Sequence, residues 1–196
     1  SPRVCIIWIA IYGSCPCDIA RTRARLHSWL TLPQRKQVEL RPTSADALSG
    51  YAAFLMVARG EYGEAETLLE RAIEGQSSHV GALSLLSMLH SEHTGNGEAA
   101  ERYAALAMAS SPGDARALTA HAACLEKRGD ADAAEEAHRQ AVKSPGAGPL
   151  SFSRFAAFME RRGMKEVSLE LYREALQQDE GDADTAYRCG RLLASM

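Results

Sequence analysis

The chain has 196 residues, 46% of them hydrophobic, 24% charged and 6% aromatic, a globular composition that excludes disorder throughout and collagen-like or mucin-like polymers. Lys and Arg number 22 against 25 Asp and Glu, a net charge of −3 that supplies no overall drive toward nucleic acid. Five cysteines are an odd and sparse set, better suited to reduced thiols inside a cell than to a disulfide framework, and no apolar run approaches the roughly 20 residues of a membrane-spanning helix.

Charge divides the chain in two. Residues 1–45 carry seven basic and two acidic side chains, and residues 46–196 carry 15 basic and 23 acidic, net charges of +5 and −8. The shift places a boundary near Pro42 to Asp46, with 1–45 as a basic, apolar-led arm or pre-repeat segment and 46–196 as the main domain. Within the arm, Val4 to Tyr12 is a β-branched and aromatic run broken by Gly13-Ser14-Cys15-Pro16-Cys17. It reads as a strand or docked arm, or alternatively as the apolar core of a signal peptide; with no initiator Met, an uncleaved arm is the reading adopted. Asp18 to Leu30 suits a helix capped by Asp18 and ending before Pro33. Its three alternate arginines spread around such a helix and form no phosphate-binding stripe. Cys15 and Cys17 lack the two-residue spacing of a redox or zinc motif.

From residue 46 the sequence repeats. Tyr51-Ala52, Leu86-Ser87, His121-Ala122, Phe155-Ala156 and Cys189-Gly190 are equivalent pairs, each a side chain followed by a small residue, spaced by 35, 35, 34 and 34 residues. Leu48, Leu83, Leu118, Phe152 and Ala186 precede the small residue by four. Leu55, His90, Leu125, Met159 and Leu193 follow it by three. Those offsets share one helical face and predict a first helix, A, in each unit. Gly60, Gly95, Gly129 and Gly163 end it at positions suited to positive φ. A second helix, B, follows through Ala65, Ala100, Ala134 and Ser168, then Ala72, Ala107, Ala141 and Ala175. The small residue stands eight before the turn glycine in units one and two but seven before it in units three and four, so one inserted residue explains the longer period. Leu48, Tyr51, Leu55, Leu118, Phe152, Phe155 and Tyr172 are the predicted core.

This register resembles the tetratricopeptide repeat, a helix-turn-helix unit of about 34 residues. The resemblance covers 46–181 as four repeats, with Asp182–Met196 as a capping helix A of a fifth unit. It implies an all-α fold, a right-handed superhelical solenoid of stacked helical hairpins with a C-terminal cap. Tyr51-Ala-Ala-Phe-Leu55 and Phe155-Ala-Ala-Phe-Met159 are also similar to half-a-TPR repeats, which belong to RNA-processing scaffolds.

The resemblance further implies that a concave face binds protein partners through Ser49, Ala53 and Met56 of unit one, and Ser84 and Met88 of unit two. Arg116, Thr119, Ala123 and Glu126 of unit three, Ser153 and Ala157 of unit four, and Tyr187 and Arg191 of the cap continue it. This groove is small-residued and lightly polar, interrupted by Met56, Met88 and Leu150, and lacks a basic clamp for acidic peptide termini. The implied function is a non-enzymatic scaffold, a subunit of a larger assembly that holds a helix or extended apolar segment, supplied by a partner or by residues 4–12. The alternative is an RNA-processing or organelle RNA-maturation factor. No phosphate loop or nucleophile–base pair appears, and no cofactor is implied. His90 with His93 offers two of the three or four ligands that zinc wants, and His121, Cys124 and His138 form a looser cluster; both read better as structural.

Overall fold

The computed structural model describes residues 35–196; the expectations for Val4–Tyr12, Cys15, Cys17 and the Asp18-capped helix lie outside the described residues. Residues 35–40 are helical, with Arg35 paired to Glu39 at 3.1 Å. Val38 packs against the core of unit one, and the Pro42 carbonyl accepts a hydrogen bond from Arg71 at 3.3 Å.

Nine helices follow between residues 45 and 194, and the described residues contain no strand. They are α1 (Ala45–Phe54), α2 (Tyr62–Gly75), α3 (Val80–Leu89), α4 (Gly97–Ser110), α5 (Ala115–Arg128), α6 (Ala131–Lys143), α7 (Pro149–Arg161), α8 (Lys165–Gln178) and α9 (Ala183–Ala194). Odd-numbered helices are the A helices and even-numbered ones the B helices. In units one to four each A helix packs on its own B helix, the four A helices pack on one another in succession, and each B helix packs on the A helix that follows. A lone hairpin could not bury its apolar stripe; stacking buries it between neighbouring units, in a series of clusters along the array. No helix is long and apolar enough to cross a membrane among the described residues.

Capping chemistry starts the A helices where the register places them. Ser44 accepts from the Ala47 N–H, His79 Nδ1 from Ala82, Asp114 from Arg116, and Asp182 from both Asp184 and Thr185, satisfying donors that have no partner inside the helix. In α7 Pro149 stands in the first turn, where its missing N–H costs nothing. The turn glycines all adopt positive φ, from 67° at Gly60 to 83° at Gly129. A Cβ on Gly129 would meet nothing within 4 Å. Gly129→Ala is therefore expected to cost only the left-handed backbone penalty, about 1 kcal/mol, read as a lowered denaturation midpoint with an unchanged slope.

The inserted residue has a structural form. In units one and two helix A closes in a π-helical turn, Leu55–Arg59 and His90–Thr94, whereas α5 and α7 run to their ends as α-helix. A π turn takes up one extra residue without shifting what precedes it. Leu55 and His90 accordingly keep their buried register positions, 0% and 8% exposed.

Units one and two hold the largest cluster, with Leu48, Tyr51, Leu55, Leu69, Leu83, Leu86 and Leu89. Each such leucine contributes about 1.5–3 kcal/mol on burial. Unit three is built largely from alanine, with Ala117, Ala120, Ala122, Ala134, Ala137 and Ala141 all buried. In unit four Ser168 takes the small position, and its hydroxyl donates to the Ala156 carbonyl at 2.8 Å. Six of the seven predicted core residues are buried. Phe152 departs from the expectation and is half-buried, although it holds the same fourth position of its helix as the buried Leu48, Leu83 and Leu118.

Tyr172 is fully buried and donates to Glu160 Oε2 at 3.1 Å. Burial, reinforced by the Glu160 carboxylate, pushes its phenol from the ordinary 10.0 up to about 12. The folded state therefore holds this proton more tightly than the unfolded chain does. The corresponding stability is fully present below pH 10 and lost as pH rises through about 12. Alkaline titration at 295 nm is expected to show one tyrosine that ionises only above pH 11, together with unfolding, and Tyr172→Phe should remove that step.

Candidate concave groove

A groove of about 580 Å³ runs along the A helices of all units, from Val57 of unit one to Arg188 of the cap. Its floor is small: Ser91, Ala123, Ser153 and Ala157. Two exposed apolar side chains stand on it, Val57 at 80% and Leu150 at 42% exposure. Four cations, Lys127, Arg154, Arg161 and Arg188, and four anions, Glu92, Glu126, Asp182 and Asp184, share the lining. The groove is electrically balanced, and far more charged than the lightly polar surface the sequence implies.

Most of that charge is paired. Arg154 of α7 grips both carboxylate oxygens of Glu92, with Nη2 at 3.2 Å from Oε2. Arg161 pairs with Glu126, and Arg188 with Asp184 at 2.7 Å. Asp182 is spent on the α9 cap and on the Thr185 hydroxyl.

Beneath Glu126 lies His138 of α6, 1% exposed, its Nε2 at 2.7 Å from Oε1. The carboxylate accepts, so Nε2 carries a proton, and the buried Nδ1 has no hydrogen-bond partner. The imidazole is held between Phe155 and Phe158, with ring centroids 5.6 and 5.4 Å away. Glu126 is thus fixed from below by a buried histidine and from above by an arginine of the next unit. Unit four uses the same plan, with Tyr172 below Glu160 and Arg191 above it at 2.6 Å.

Five residues implied for the concave face, Ala123, Glu126, Leu150, Ser153 and Ala157, come together in this groove. Four others are buried and offer a partner almost no surface: Ser49 at 7%, Ser84 at 3%, Met88 at 5% and Thr119 at 1% exposure. The serine and threonine hydroxyls turn inward; Ser49 donates to the Asp46 carbonyl and Thr119 to the Ala115 carbonyl, with the Ser151 hydroxyl 3.1 Å from Thr119 Oγ1. Ala53 and Met56 are half-buried and outside the lining. Arg116 lies outside it too, forked onto Asp114, and this side-chain hydrogen bond holds the Asp114 carboxyl below its usual range. Tyr187 is 64% exposed, also outside the lining.

Sequence reasoning missed Val57, Glu92, Arg154 and Arg161 as groove residues. The signal for two of them was present as the extra residue of units one and two.

The histidine clusters are structural in their contacts. His90 Nδ1 lies 3.1 Å from the Thr94 hydroxyl and its ring stacks on Tyr103, while His93 stacks on Tyr62. Cys124 contacts the Ser87 hydroxyl at 3.5 Å instead of His138, and burial pushes its thiol up, away from thiolate chemistry. His121 is half-buried, against the inward position expected of it; an edge position costs an imidazole less than a core one. Among the described residues no three His, Cys, Asp or Glu side chains are grouped as a metal site would need.

The architecture is that of a tetratricopeptide-repeat protein, an all-α solenoid of stacked hairpins closed by a single helix. A thermophilic TPR protein of Thermus thermophilus is similar over 89% of this chain and 98% of its own, at 19% identity and a TM-score of 0.65. The APC/C hetero-tetramer Cut9–Hcn1 is similar over 98% of this chain, which spans 37% of that one, at 17% identity and a TM-score of 0.62. PilF of Pseudomonas aeruginosa is similar over 77% of this chain and 68% of its own, at 18% identity and a TM-score of 0.55. At these identities the likeness concerns the fold. No family model and no curated protein matches the chain.

Proposed function

We propose that this protein is a non-enzymatic interaction scaffold, a subunit of a larger assembly, that holds a helix or extended segment of a protein partner in the concave groove. The observation that supports it best is the groove itself. Its alanine and serine floor admits close approach of a backbone, and paired charges on rigid helices frame that floor. Balanced charge suits a protein segment better than a phosphate backbone, which wants clustered cations. A repeat array of this fold also occurs in an assembly in the Cut9–Hcn1 tetramer. The partner is more amphipathic than the sequence alone implies, since a purely apolar segment would strip water from ion pairs without replacing it.

Ala123 lies in the groove of the central unit and is half-buried there. Ala123→Arg is expected to leave the thermal melt nearly unchanged and to weaken partner capture from lysate by about 2 kcal/mol or more, roughly 30-fold. The exposed Glu70→Ala should change capture by only a few tenths of a kcal/mol. Capture that survives Ala123→Arg while falling with Glu70→Ala would place the binding surface on the outer helices.

A further inference from the structure

The extra residues of units one and two can be named. Leu55-Met56-Val57-Ala58-Arg59-Gly60 aligns in sequence with Leu125-Glu126-Lys127-Arg128-Gly129 when Val57, the residue of this turn that lines the groove, is set aside. The same alignment sets Glu92 aside in unit two. Each supernumerary residue therefore lies in a π turn, and each lines the groove. A π turn pushes its extra residue out of the regular ladder, and such turns are frequent at functional sites.

Glu92 uses that position to reach Arg154, 62 residues away. The ion pair joins unit two to unit four and spans unit three, whose Ala123 lines the same groove. A segment seated on Ala123 has to contend with it. The two ends respond differently to an occupant. Glu92 stands on a surface turn and regains water when released. Both side chains line the groove and are similarly exposed, Arg154 33% and Glu92 27%. Glu92, however, is carried on an exposed turn and Arg154 on the half-buried wall of α7, so the arginine is the end that needs a new anion. Lys127 lines the same groove and has no carboxylate within ion-pair distance among the described residues.

We propose that the Glu92–Arg154 pair is a latch opened by the bound segment, and that this segment carries a carboxylate that replaces Glu92 on Arg154 beside an apolar side chain that covers Val57 and Leu150. The proposal rests on the concave-groove reading and gives it a partner chemistry: an acidic, amphipathic segment. Covering Val57 supplies apolar burial, and the carboxylate exchange keeps the arginine paired.

The test is fluorescence anisotropy with the full chain and two fluorescein-labelled dodecamers, one of Leu, Ala and Glu at helical spacing, the other with Gln for every Glu. The Glu peptide is expected to bind at least about tenfold tighter than the Gln peptide. Glu92→Gln should tighten it about fivefold, the equivalent of ~1 kcal/mol, and Arg154→Gln should weaken it about tenfold. Either variant breaks the same ion pair, so a latch that only stiffens the array would shift both in one direction. A parallel shift, equal binding of the two peptides, or binding of neither overturns the proposal. Ala123→Arg separates the two levels. Undiminished binding in that variant refutes the groove itself, whereas lost binding together with parallel shifts at Glu92 and Arg154 refutes the latch alone.

Discussion

Phe155→Ala is expected to destabilise the protein by about 3–5 kcal/mol, a large share of the 5–15 kcal/mol that holds a typical domain together. Phe155 is 7% exposed and sits in the cluster that joins units three and four, against Ala122, Ala134, Phe158 and Met159. Alanine neighbours cannot move in to fill a vacated ring, because they have no side-chain length to extend, so the cavity term should be near its full size. The ring is also one wall of the His138 slot. Its loss exposes an imidazole whose Nδ1 is already unpartnered, and loosens Glu126 with it. Urea denaturation followed by circular dichroism measures the loss. A change under 1 kcal/mol would mean that the unit three–four junction is not a packed interface. Phe158→Ala, at the same histidine, should behave similarly but lose less from cavity formation, since the Arg162 guanidinium lies 5.8 Å from its ring centroid and can settle onto the gap.

Single-residue deletions should have opposite outcomes in different units. Removing Val57 gives unit one the seven-residue spacing that units three and four already use, so its helix A can close as an α-helix with Leu55 undisturbed. Val57 is 80% exposed, and the expected change is within about 1 kcal/mol. Removing Ala123 from α5 leaves six residues, a spacing no unit has. It rotates Cys124 and Leu125, both buried, by about 100° relative to the turn before them. Two core side chains would leave their places at once, with an expected cost of 4 kcal/mol or more. Thermal melts of the two deletions decide the matter. Equal destabilisation would show that the π turn is a required part of unit one and not an accommodated insertion. The same experiment bears on the groove, because the Val57 deletion removes one of its two exposed apolar side chains while the fold persists.

Much of this was legible in the chain because a repeat states its pattern several times. The positions of Leu48, Leu83 and Leu118, the four turn glycines and the alanines of the B helices all follow from 3.6-residue periodicity and from the need for positive φ at a helix end, both local properties. The difference between 35 and 34 residues was equally visible. Its meaning was not: spacing shows that a residue is extra, whereas only the three-dimensional path shows it leaving the helical ladder as Val57 or Glu92 at the groove. Burial on the concave side was likewise out of reach. Ser49, Ser84, Met88 and Thr119 occupy positions of the inner helix face, yet the curvature and spacing of adjacent A helices cover them, and curvature is a sum over every inter-unit contact. Two of the ion pairs that line the groove join residues 35 and 62 positions apart, distances over which sequence carries no pairing rule; the third, Asp184–Arg188, is a local i,i+4 pair. The sequence by itself determined that this protein is a stack of helical hairpins and which side chains build its core, since each unit obeys local rules. The tertiary structure alone decided which of the inner-face residues reach the groove and that Glu92 and Glu126 are already paired across units, because both depend on how the units are set against one another.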